Sequence, residues 1–260
     1  MNNIIDAIEG YNWDFEDGFN VPWIIQVNLP HLLMRKNEKS SSIYSNKVMR
    51  SIFHNNIEQE IENVLNFFRD IPFSWWIGPL SKPSNLKEIL IEREFKEVDK
   101  YVGLAFNIFD WTETNLKSNY RIVDTEKEKN LLEHVKVSAK VWEIDDKSSI
   151  ESIYEMRKKY LQIPDRRGGF IVALDNGKGV GNASYRLSHD KKVMYLIGSG
   201  VLPEYRNQGI YHDLLYYRFK IALQNNVEWI TVIARVGTSE PILRKIGFKE
   251  YGNYIVLSKS

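Results

Sequence analysis

The chain of 260 residues contains no cysteine. That excludes a disulfide framework, a thiol nucleophile and any zinc site built on thiolates. Net charge is nearly absent too: 35 Lys and Arg stand against 34 Asp and Glu. With the two signs interspersed, no basic face argues for nucleic acid and no cationic helix argues for a membrane surface. No stretch approaches the ~18 apolar residues of a spanning helix. The opening MNNIIDAIEGYNWDFED has neither the basic flank nor the apolar core of an export signal, so the expected location is the cytoplasm. His31, His54, His134, His189 and His212 show no metal-ligand spacing, and no metal is expected. What is abundant is apolar material: 43% hydrophobic and 13% aromatic residues suffice for real cores in one large or two small domains. The seven tryptophans read as core.

The most informative stretch is MYLIGSGVLPEYRNQGIYHDLLYY, residues 194–217. Val193 to Ile197 is an apolar β-prone run, Gly198 and Gly200 break its regularity, and Pro203 ends it. Leu214, Leu215, Phe219, Ala222 and Leu223 then recur at helical spacing. The segment reads as strand, loop and helix, with the loop at Glu204 to Ile210. A helix start presents unpaired N–H groups and partial positive charge. Gly209 permits a positive φ and close approach of a ligand, and Arg206 adds charge, so this loop suits a phosphate or pyrophosphate.

With these residues in view, VLPEYRNQGIY resembles the pyrophosphate loop of the GNAT superfamily of N-acetyltransferases. Val201, Pro203, Arg206 and Gly209 match that pattern, and Tyr211 stands where a small residue is usual. Downstream, TSEPILRKIGF (Thr238 to Phe248) is similar to the family's closing segment ending in Gly-Phe, about forty residues on. The resemblance implies acetyl-CoA as cofactor and acyl donor, held by Gly200, Val201, Leu202, Arg206, Asn207, Gln208, Gly209, Ile210 and Tyr211, with Ser239 reaching the cofactor arm. It places the pyrophosphate on the backbone of residues 207–211, the pantetheine arm along the strand ending at Val201, and a β-bulge at Gly198-x-Gly200. A backbone N–H near Val201 would polarise the thioester oxygen.

A second copy of this order precedes the first. PFSWWIGPLSKPSNLKEILIEREF (Pro72 to Phe95) and WITVIARVGTSEPILRKIGF (Trp229 to Phe248) both read strand, loop, Ser/Pro helix start, short amphipathic helix and terminal Phe. Each follows a longer amphipathic helix, the earlier one marked by Ile57, Ile61, Val64, Leu65 and Phe68. Ser84 is the expected cap of the first short helix, and Glu94 in place of Gly247 implies a different ending. The loop aligned with Arg206–Gly209 is the serine-rich stretch 37–48, which has no glycine. The pattern is similar to tandem GNAT proteins with a degenerate N-terminal half. The expected architecture is α+β: two fused GNAT-like lobes, each a mixed, mostly antiparallel sheet flanked by helices. Residues 1–133 form the degenerate lobe and residues 134–260 the acetyltransferase domain.

The remaining segments fill in these lobes. Residues 1–19 read as an irregular arm, Val21 to Leu29 as a strand, Thr112 to Asn130 as a linker, and His134 to Ile144 as the strand that opens the second lobe. A helix containing Ile153, Met156 and Tyr160 follows, then a hairpin with its turn at Asn176-Gly177. The short interval before Gly169 implies that the family's second acceptor-side helix is truncated. Two family residues are missing: Leu243 occupies the general-acid Tyr position, and Val236 falls where an Asn is usual. Catalytic groups are therefore unassigned, with His189, Glu204, Tyr195 and Tyr251 as candidates near the thioester. The expected reaction is acetyl transfer from acetyl-CoA to an amine of a small molecule or protein. The rival readings are a non-catalytic acyl-CoA-binding or regulatory protein, and transfer of a longer acyl group.

Overall fold

The computed structural model describes residues 4–16, 19–113 and 115–259. In chain order its elements are α1 (Ile4–Glu9), β1 (Ile24–Asn28), β2 (Leu32–Asn37), β3 (Lys47–Ser51), α2 (Ile57–Phe68), β4 (Phe73–Ile77), α3 (Leu86–Glu92), β5 (Lys96–Asn107) and β6 (Arg121–Asp124). There follow α4 (Glu128–Val141), α5 (Lys147–Leu161), β7 (Gly168–Asp175), β8 (Lys178–Leu187), β9 (Val193–Val201), α6 (Ile210–Gln224), β10 (Trp229–Arg235), α7 (Ser239–Ile246) and β11 (Lys249–Lys259). No helix among the described residues is long and apolar enough to cross a membrane.

The fold is α+β, and its contacts separate into two compact units that are not consecutive blocks of chain. The first takes the described residues within Met1–Trp13, Asn20–Ala105 and Ile233–Ser260; the second takes those within Asp14–Phe19 and Phe106–Val232. The sequence reading draws its border between residues 133 and 134 instead.

In the first unit the strands run β1-β2-β3-β4-β11-β5, antiparallel except for the β3–β4 pair. Its core lies where α2 and α3 cover the sheet, with Ile61, Val64, Phe68, Leu86 and Leu90 packed on Val48, Phe73, Trp75 and Leu257. Phe68 and Phe73 stack at 4.1 Å. In the second unit the order is β10-β9-β8-β7-β6, with β10 parallel to β9 and the rest antiparallel. The Asn176-Gly177 turn closes the β7–β8 hairpin as expected, both residues having positive φ (47° and 83°). One face of this sheet carries α6, whose Ile210 and Leu214 pack on Ile171, Val180 and Val201. The other face carries α4: a Cβ on Gly200 would lie 2.3 Å from Val141, whereas one on Gly181 would meet Ile210 and Leu214. Strand alternation sends these two neighbouring positions to opposite faces.

The duplicated order is real in three dimensions. Each copy has an antiparallel pair, a long helix, a strand parallel to the last, and a short helix: β2-β3-α2-β4-α3 and β8-β9-α6-β10-α7. In both, the strand before the long helix carries an extra residue, Met49 opposite Leu33/Met34 in β3 and one more in β9. The two short helices also end alike, which corrects the reading of Glu94. Phe95 N donates to Leu90 O at 3.0 Å and Phe248 N to Leu243 O at 3.1 Å, with Glu94 (φ 69°) and Gly247 (φ 110°) both left-handed.

Five further expectations are corrected. Residues 134–144 are not a strand but lie mainly in α4, because Leu131, His134, Val135 and Ser138 share a buried helical stripe that the alternating valines of HVKVSAKV conceal. The strand that opens the second unit's sheet is β6, inside the segment read as a linker. Consequently two helices, α4 and the 15-residue α5, stand before Gly169, and neither is truncated. Ser84 does not cap α3; Asn85 holds that position without a side-chain bond. Finally, the serine-rich stretch connects β2 to β3, and the loop directly before α2 is residues 53–56, ending at left-handed Asn56 (φ 52°). Part of the irregular arm is helical in α1, while residues 1–3, 17 and 18 lie outside the described residues.

Candidate active site

Nine of the ten expected cofactor residues come together in the second unit, along the end of β9 and the start of α6. Val201 is 9% exposed and Leu202 5%, and Leu202 N donates to Val180 O at 2.9 Å, which fixes the strand end against β8. A 3-10 turn, Pro203–Tyr205, then lifts the chain off the sheet. Arg206 is exposed and folds back so that Nε donates to Val201 O at 3.3 Å. Asn207 (φ 62°) and Gly209 (φ 82°) are both left-handed, and Gly209 is the N-cap of α6. It offers no side chain to the first helical N–H groups, so they remain available to an anion. Ile210 is buried, and Tyr211 is half-buried and turned towards Arg218. The tenth residue, Ser239, is the first residue of α7 in the first unit, after Thr238 as N-cap.

The bulge expected at Gly198-x-Gly200 is present. Asn182 pairs with Gly200 and Ser184 with Ile197, so β9 has two residues where β8 has one, and Gly198 takes φ 41°. The parallel pairing of β9 with β10 covers Val193–Trp229 to Tyr195–Thr231.

The structure adds residues that sequence reasoning missed. Asp213, fully buried in the first turn of α6, accepts from Lys117 N at 2.7 Å, Ser118 N at 2.8 Å and Ser118 Oγ at 2.5 Å. Burial pushes its carboxyl up, but these hydrogen bonds prevail and hold it below the usual carboxylate range. The strap at residues 117–118 lies against the loop: a Cβ on Gly209 would come within 2.8 Å of the Lys117 backbone. Gly209 is thus required by its φ and by this packing, in addition to any ligand. Tyr120 OH donates to Gln208 Oε1 at 2.6 Å, and Tyr120 meets Tyr205 edge-on, so the loop is braced from outside. The one signal in sequence was an acid in the first turn of a helix.

Of the candidate catalytic groups, the Tyr195 side chain is engaged elsewhere. Tyr195 is 4% exposed and donates to Asp14 Oδ2 at 3.0 Å, while His189 N donates to the same carboxylate. Glu204 is exposed in the 3-10 turn, and Tyr251 belongs to the first unit. Burial raises the phenols of Tyr195, Tyr211 and Tyr217, so none of them is poised near neutrality. Leu243, at the expected acid position, is fully buried. His134 is a structural tie: its Nε2 meets Ala183 O at 3.1 Å, Arg157 Nη1 contacts its Nδ1 at 2.8 Å, and burial lowers it well below the usual range. No group of three His, Asp or Glu among the described residues is arranged to hold a metal.

A bulged strand running into a glycine-capped helix, on a mixed sheet covered by helices on both faces, is the architecture of an acetyltransferase fold. The model of the acetyltransferase (GNAT) family matches residues 137–248. Over that stretch the chain is similar to the GNAT acetyltransferases, and its structural neighbours include GNAT proteins, a tandem one among them. A conserved protein of unknown function from Staphylococcus epidermidis superposes with a TM-score of 0.67 at 16% identity, covering 90% of this chain and 92% of that one. A GCN5-related N-acetyltransferase from Kribbella flavida gives 0.64 at 16% identity, over 91% and 89%. A tandem GNAT protein from the clavulanic acid biosynthesis pathway gives 0.62 at 10% identity, over 92% and 84%. No curated protein matches the sequence.

Proposed function

We propose that the protein transfers an acetyl group from acetyl-CoA to a primary amine, and that it holds one cofactor site per chain. The observation that carries this reading is the uncapped start of α6 at Gly209, preceded by Arg206 and fed by the β9 bulge at Gly198–Gly200. The pyrophosphate would lie on the N–H groups of residues 207–211, with the pantetheine arm leading back along β9 towards the bulge. The first half is proposed as the degenerate lobe, because residues 53–56 before α2 are Phe-His-Asn-Asn, with neither arginine nor glycine.

The chemistry needs little acid help. A thiolate with a pKa near ~8.5 departs without full protonation, whereas an alkyl ammonium near ~10.4 must lose a proton before it attacks. With Leu243 buried where a phenol is usual, kcat/KM should rise with pH and level off, without a falling limb near the ~10 of an ordinary phenolic acid. The test is calorimetric titration with acetyl-CoA followed by CoA release against a panel of amines. One site per chain, abolished by Gly209→Glu, and CoA release with an amine are expected. Binding without release from any amine would favour the non-catalytic acyl-CoA-binding alternative, and absence of binding would end both.

A further inference from the structure

Arg218 occupies a core position. It lies on the stripe of α6 that includes Leu214, Leu215, Phe219 and Ala222, and it is wholly buried. Its Nε donates to Leu214 O at 3.1 Å, its Nη1 to Ser199 Oγ at 2.8 Å and, at the limit, to Ser184 O at 3.5 Å, and its Nη2 makes no hydrogen bond. Burial lowers it to about 10, against the opposing influence of the Tyr211 phenol, so it remains charged at neutral pH. No carboxylate pairs with it among the described residues. A buried cation without a counter-ion is costly, and an apolar side chain would fill this stripe at less cost.

The shortest of these hydrogen bonds goes to Ser199 Oγ, while the Tyr211 phenol also draws on the guanidinium. Ser199 is the residue between Gly198 and Gly200, in the part of β9 that bulges away from β8. It is half-buried, with Gly198 exposed beside it. Its oxygen accepts from Arg218, which leaves its own proton without a protein acceptor among the described residues. Along α6, Arg218 stands eight residues beyond Ile210, about 12 Å from the loop, on the side where the arm of a cofactor seated at Gly209 would lead.

We propose that the Ser199 hydroxyl donates to the thioester carbonyl oxygen of the bound acyl-CoA, and that Arg218 is the positioning residue that aims this hydroxyl and supplies positive potential behind it; the assignment rests on the acyl-CoA reading above. As the amine nitrogen bonds to the carbonyl carbon, the π pair moves onto oxygen, where the Ser199 proton is already directed. Collapse restores the carbonyl and expels the CoA thiolate, and the nitrogen's proton leaves to solvent. Ser199 gives up no proton. A fixed donor backed by a buried charge stabilises developing negative charge more than water does, because it needs no reorientation.

The experiment is isotope-edited infrared spectroscopy of [1-13C]acetyl-CoA bound to the full chain, which needs no acceptor. The carbonyl stretch should fall in frequency on binding to the parent. It should return towards the free value in Ser199→Ala and Arg218→Met, and stay low in Ser199→Thr, which keeps a hydroxyl. Ser199→Ala should still bind acetyl-CoA, and with an amine acceptor its kcat should drop about 10²-fold at nearly unchanged KM. If Arg218→Met does not fold, the two Ser199 variants decide the matter. A bound carbonyl whose frequency is the same in the parent and in Ser199→Ala overturns this assignment alone. Failure of the parent to bind acetyl-CoA removes the acyl-CoA reading itself.

Discussion

Glu9 is 4% exposed and accepts a hydrogen bond from Tyr254 OH at 3.1 Å. Burial lifts its carboxyl to about 7, against the opposing effects of Tyr254 and Arg50. A raised acid favours the folded state most when it is protonated, below its unfolded value of 4.5, and that contribution is lost as the pH climbs to about 7. Over this window Glu9 should cost the parent up to about 3 kcal/mol relative to Glu9→Gln. Urea melts of the two proteins across the window should therefore diverge; parallel curves would show that Glu9 titrates normally. Lys47, also lowered to about 7 by burial, is common to both proteins and cancels in the difference. At this scale the sequence displayed Arg206 and Gly209, because a loop motif is local. It hid the bond between Asp213 and Lys117, whose partners are 96 residues apart, and Arg218, which reads as one position of an apolar stripe.

At the level of elements, most of the long periodic segments were legible. The bulge in β9 and the glycine end of α7 were visible from glycines whose φ values are in fact positive. The misreading of α4 has a physical origin: Val135, Val137, Ala139 and Val141 alternate with polar residues, which mimics a strand, and β-branched residues tolerate either state. Tertiary burial of the stripe that includes Leu131, His134, Val135 and Ser138 decided the outcome. The contact between α4 and β9 is testable. Gly200→Ala puts a methyl group 2.3 Å from Val141 and should cost about 1–3 kcal/mol through overpacking. Val141→Ala opens that space, so the double variant should be more stable than the two single losses predict, by a coupling of about 0.5–3 kcal/mol. Additive melting temperatures would show that the strand moves aside instead.

For the whole molecule, the sequence disclosed the repeated order of elements but not the way the contacts share them out, because repetition is a local property and strand pairing is not. β11 lies between β4 and β5 in the first unit, while segment 14–19 is counted with the second. A fragment of residues 134–260 would therefore lack β6 and the first six residues of α4, and its β11 would have neither neighbour. Such a fragment should be poorly soluble and melt without a cooperative transition by circular dichroism; a sharp transition at the parent's temperature would contradict the division of the chain into these two units.

The position of β11 also orders events in time. On the ribosome, residues 24–105 emerge early with β4 and β5 made but the slot between them empty, and the strand that fills it is synthesised after all of the second unit. The half that is translated first is thus completed last. Until β11 is made, the two strand edges that it covers stay open to pairing with other chains.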